Sequence, residues 1–66
     1  MFRVVIITDK QDIKSNNFET RKEAEDWILE IATTEGFKKG RIRNLETEVE
    51  ENIELWELKL KHIILQ

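Results

Sequence analysis

The chain has 66 residues, 38% charged and 39% hydrophobic, with a formal net charge of −3 and no cysteine. Residues 1–66 therefore make one small domain, and neither disulfides nor thiolate metal sites can staple it, which leaves tight packing or self-association. The acidic balance gives no overall pull towards nucleic acid or anionic membrane, and the patterned apolar content excludes a disordered segment.

Residues 2–8 are β-branched and apolar and predict a strand. Phe2, Val4 and Ile6 point to one face, Val5 and Ile7 to the other, so an interior strand covered on both sides is expected. The uncharged run from Val4 to Ile7 is too short for the core of a signal peptide, and no stretch reaches transmembrane length. The expectation is a soluble, cytoplasmic protein that does not engage a membrane. Asp9, Lys10, Gln11 and Asp12 form a polar turn, and residues 13–18 follow as a more polar strand suited to a sheet edge.

Thr20 with Glu23 three residues on reads as a capping box, a hydroxyl for the N3 amide and a carboxylate reaching back to the Thr20 amide. Ala24, Trp27, Ile28 and Ile31 then recur on one helical face, with Leu29 at its margin. Gly36 supplies a left-handed stop and Phe37 the apolar contact that accompanies it. A helix over 20–35 follows, although Arg21 and Lys22 in its first turn and Glu35 at its end oppose the macrodipole.

The C-terminal third carries two patterns. Val49, Ile53, Trp56, Leu60 and Ile63 have helical spacing, Thr47 and Glu50 resemble a second capping box, and Lys59, Lys61 and His62 come last, as a helix dipole favours. Against this, Trp56, Leu58 and Leu60 alternate with Glu57, Lys59 and Lys61, which is the period of a strand. Folding the chain back around Thr47 and Glu48 sets Ile42 opposite Ile53, Arg41 opposite Glu54, Lys38 opposite Glu57 and Phe37 opposite Leu58. Matched cross-strand pairs of this kind stabilise a sheet. The favoured fold is thus a two-layer α+β domain, ββαββ, an antiparallel sheet with the helix over 20–35 packed on it. A helical segment over 46–65, giving ββα(β)α, is the alternative.

Chemistry-bearing residues are few. Ser15 is the only serine and His62 the only histidine, with no nucleophile elbow and no phosphate-cradling glycine loop. The expectation is no enzyme, with no catalytic residue, no cofactor and no metal site. Glu46, Glu48, Glu50, Glu51, Glu54 and Glu57 lack the spacing of a calcium loop and read as a solvated face. Lys38, Lys39, Arg41 and Arg43 could neutralise phosphates beside the aromatic rings of Phe37 and Trp56. The acidic run and the net charge weigh towards internal ion pairing instead, so nucleic-acid binding is the second reading. The first is a small non-enzymatic interaction or accessory module that self-associates as a homodimer or meets another protein. Its interface would use Val5, Ile7, Trp56, Leu58, Leu60 and Ile64, because two apolar strand faces and an aliphatic C-terminus exceed what one helix covers.

Overall fold

The structure, a computed structural model, describes the backbone of residues 1–65 and the side chains of residues 1–61. Its elements run β1 (Phe2–Ile7), β2 (Ile13–Phe18), α1 (Arg21–Thr34), β3 (Lys39–Asn44), β4 (Glu50–Asn52) and α2 (Leu55–Leu65). The strands form one antiparallel sheet in the order β2-β1-β3-β4, with the apolar strand β1 inside it as its pattern requires. The α+β class and the sheet with a helix packed on it are as expected. In the C-terminal third the helical alternative holds from Leu55 onwards, the strand period of Trp56, Leu58 and Leu60 is not used, and the fourth strand is instead the three residues Glu50–Asn52 ahead of it.

Two hairpin turns place the strands. Thr8 N donates to Asp12 O and Gln11 N to Thr8 O, each at 2.9 Å, and Gln11 takes φ 66° to close the β1–β2 loop. In the β3–β4 loop the Asn44 side-chain oxygen accepts from the amides of Glu46 (2.9 Å) and Thr47 (3.3 Å), while Glu48 turns through φ 62°. Asn44 is thus the turn former, an Asx-type device that needs no Asn-Gly pair. It also changes the register. Arg41 faces Asn52, Ile42 faces Glu51 and Arg43 faces Glu50, so the expected pairings of Arg41 with Glu54, Lys38 with Glu57 and Phe37 with Leu58 do not form. The longer loop displaces the hairpin by two residues, and past Asn52 the Ile53 amide, donating to Gly40 O at 2.9 Å, prolongs the ladder.

Helix α1 begins where the capping box places it. The Thr20 hydroxyl oxygen accepts from the Glu23 amide at 3.2 Å, and the same hydroxyl donates to the Glu23 carboxylate at 3.1 Å. The reach-back of Glu23 therefore ends on the Thr20 side chain. At the other end Glu35 caps the helix and Gly36 reverses the chain with φ 86°. A Cβ there would meet the exposed Asp9 carboxylate, which can rotate aside, so it is the positive φ that calls for glycine.

The core lies between one sheet face and the helices. Val4, Ile6, Ala24 and Ile28 are fully buried, joined by Ile31, Ile42 and Leu58, with Phe2, Phe18, Trp27, Leu29, Phe37 and Ile53 packed round them. Trp27 and Phe18 meet at a ring-centroid distance of 5.5 Å and a tilt of 49°, a favourable aromatic geometry. Thr8, the one buried polar residue among those described, accepts the Asp12 amide on its hydroxyl oxygen at 3.2 Å. Leu58, expected at an interface, is instead core: α2 folds back beside α1, and its helical period turns this leucine inward.

Glu25 ties the helices together. Its carboxylate receives Arg21 Nε at 3.2 Å and Lys61 Nζ at 3.3 Å, and Arg21 also pairs with Glu51 on β4. Burial tends to lower the Arg21 pKa, but hydrogen bonds and charge from Glu51 and Glu25 outweigh it and hold the pKa above the ordinary arginine value. Arg21 thus joins α1 to β4 through Glu51 and, through Glu25, to Lys61 of α2.

Candidate functional site

Alternation along each strand divides the sheet into two faces. Val4, Ile6, Ile42 and Gly40 look towards the helices. Arg3, Val5 and Ile7 of β1 look the other way, in register with Arg43, Arg41 and Lys39 of β3. Among the described residues no element covers this second face. Val5 is 37% exposed and Ile13, at its edge on β2, is 72% exposed. The expected cover on both sides of β1 is thus present on one side only, because α2 joins α1 on the first face.

Charge is distributed unevenly between the two sides. The open face carries Arg3, Lys39, Arg41 and Arg43, against Glu50 of β4 as its acid in the ladder. The opposite layer carries Glu23, Glu25, Asp26, Glu30 and Glu35 on or next to α1, together with Arg21 and Lys22 of the same helix and with Lys14 and Lys61, which pair with Glu35 and Glu25. A net charge of −3 therefore coexists with a cationic sheet face.

The two-residue displacement of β4 has a direct electrostatic result. Arg41 lies opposite an amide, Asn52, instead of a carboxylate. Arg43 keeps one distant acid, Glu48 at 3.8 Å, and Arg3 Nε donates to Asn17 Oδ1 at 3.2 Å. Lys38, Lys39 and Arg41 have no carboxylate within ion-pairing distance among the described residues. The internal ion pairing expected for this cluster is absent at these three positions. Of the acids expected to serve, Glu54 lines the same groove as these cations without forming an ion pair with them, and Glu57 sits in the first turn of α2.

A groove of about 750 Å³ opens on this face where β3 outruns the short β4. Val5 and Ile7 give it an apolar floor, Lys38, Lys39 and Arg41 a cationic side, and Trp56 a rim, with Glu54 its one carboxylate. Trp56 is 64% exposed and stands in the first turn of α2, which starts just after β4 and so brings the indole beside β3. Phe37 borders the same groove but is anchored: its ring lies over Gly40, where a Cβ would meet it at 3.0 Å. Asn52 adds an amide able both to donate and to accept. Sequence reasoning did not select Asn52 or Arg3; their share in the site depends on a register that only the Asn44 turn reveals.

Of the residues expected at an interface, Val5, Ile7 and Trp56 come together at this groove, Leu58 is buried, and Leu60, 50% exposed, lies one turn beyond Trp56 on α2. The Ile64 side chain lies outside the described residues. Among the described residues no group of His, Asp and Glu is arranged to hold a metal ion, and no helix is long and apolar enough to cross a membrane. Compared with known proteins, the chain matches no family model, no curated protein and no solved structure.

Proposed function

We propose that the protein is a small non-catalytic binding module whose open sheet face takes a polyanion, namely nucleic acid. The observation that carries this reading is Lys39 and Arg41 on an uncovered face, with Lys38 beside them at the groove, none with a carboxylate in ion-pairing distance among the described residues. Cations left in water beside an apolar floor retain their full attraction for phosphate, and binding them releases counterions from the polymer. The uneven charge distribution weakens the objection from the negative net charge, since the acids of α1 lie behind the sheet and Glu25 and Glu35 are paired there with Arg21, Lys61 and Lys14.

Self-association, the first expectation from the sequence, is less well supported through this face. Two copies meeting groove to groove would bring three cations and one carboxylate from each against the same set, and like charges placed together oppose docking.

Fluorescence anisotropy of a labelled oligonucleotide tests the proposal. Binding is expected at low salt, weakening as salt rises, and it is expected to disappear in the double variant Lys39→Glu/Arg41→Glu. Both positions are exposed strand sites, so the fold should persist. Undiminished binding by that variant, or none by the unaltered protein at low salt, contradicts the proposal.

A further inference from the structure

We infer that the groove beside Trp56 is a subsite for an unpaired base, so that the ligand is single-stranded, with Trp56 stacking on the base and Lys39 and Arg41 holding the phosphates that flank it. This rests on the polyanion reading and deepens it by naming the strandedness. Charge alone does not distinguish one strand from two; a duplex and a single strand both present phosphates. The aromatic does. Bases of a duplex are stacked inside it, whereas those of a single strand can turn out and stack on a side chain.

Three features of the groove suit a base. Trp56 offers most of its indole to solvent, although it stands in a first turn only two residues before the buried Leu58. Its volume, about 750 Å³, lies within the range of small-molecule sites. Val5 and Ile7 give the sugar or the base an apolar bed, and the Asn52 amide lies opposite Arg41 in the sheet, where it can read a base edge with a donor or an acceptor. Phosphate-binding and base-binding groups are thus within one groove, an arrangement with no use for a ligand that keeps its bases covered. A second copy of this chain is the competing occupant, and it meets the charge repulsion described above.

Tryptophan fluorescence supplies the test, because the chain has two tryptophans and Trp27 is half-buried against Phe18. In Trp27→Phe the remaining emission reports Trp56. Titration with a short oligothymidylate is expected to quench it, and the same strand annealed to its complement is expected to leave it nearly unchanged. Trp56→Leu is expected to weaken single-strand binding by roughly ten-fold while leaving weak, salt-sensitive duplex binding as it was. Equal affinity for single strand and duplex, or single-strand affinity unaffected by Trp56→Leu, overturns the subsite while the polyanion reading stands. Loss of all oligonucleotide binding by the unaltered protein removes both. Emission that changes with protein concentration alone, together with a doubled mass in sedimentation, assigns the groove to a second copy and overturns the inference. The melting temperature of each variant, checked first, separates a folding defect from a binding defect; the exposed Trp56 should be replaceable with little change.

Discussion

Single backbone positions carry much of this small fold. Gly36 takes φ 86°, with the exposed Asp9 side chain beside it. Gly36→Ala is expected to destabilise by about 1–2 kcal/mol through left-handed strain, Asp9 rotating aside. In a thermal melt that is a fall of roughly 10 °C for a domain of this size. Gln11 and Glu48 are the opposite case, side-chain-bearing residues held at φ 66° and φ 62°. Gln11→Gly is expected to raise stability by about 0.5–1 kcal/mol, since the relief of left-handed strain exceeds the added freedom of the unfolded chain. No change in the denaturation midpoint would mean that the β1–β2 loop is not held as described.

At the scale of elements, α2 is the least anchored. It enters the core through Leu58 and reaches α1 through the Lys61–Glu25 pair. Leu58→Ala should therefore free α2 before it disturbs the sheet. Amide exchange is the appropriate measurement: protection in α2 should drop sharply, with a smaller loss in β1 and β3. Equal loss throughout would make α2 part of one cooperative unit with the sheet. Ile28→Ala, by contrast, opens a cavity against Val4 and Ile6 and is expected to lower the stability of the whole molecule by about 3 kcal/mol.

The same contrast explains what the sequence disclosed. The strands of residues 2–8 and 13–18 and the helix of residues 20–35 were legible because alternation, a cap at Thr20 and a stop at Gly36 agree locally. The C-terminal third was not, because Trp56, Leu58 and Leu60 satisfy a strand period while Val49, Ile53, Trp56, Leu60 and Ile63 satisfy a helical one. Only Leu58 turning inward beside α1 decides between them. The cationic cluster was legible, but its lack of acidic partners was not. That depends on the Asn44 turn moving β4 by two residues, and a long-range register is not written in either strand alone.

Over the whole molecule the organising fact is a one-sided sheet. Acids of α1 lie behind it, cations of β1 and β3 lie in front, and the groove joins the cations to Trp56. If Lys38, Lys39 and Arg41 each displace a counterion from a single strand, the logarithm of the affinity should fall with the logarithm of salt with a slope of roughly −2. Removing one of the three should make that slope shallower by nearly one unit. The most direct measurement of the central claim is an amide chemical-shift titration of the full chain with a single-stranded oligonucleotide at low salt. The expected result is shifts at Val5, Ile7, Lys39, Arg41 and Trp56 with α1 unmoved; shifts centred on α1, or none at saturating strand, would contradict it.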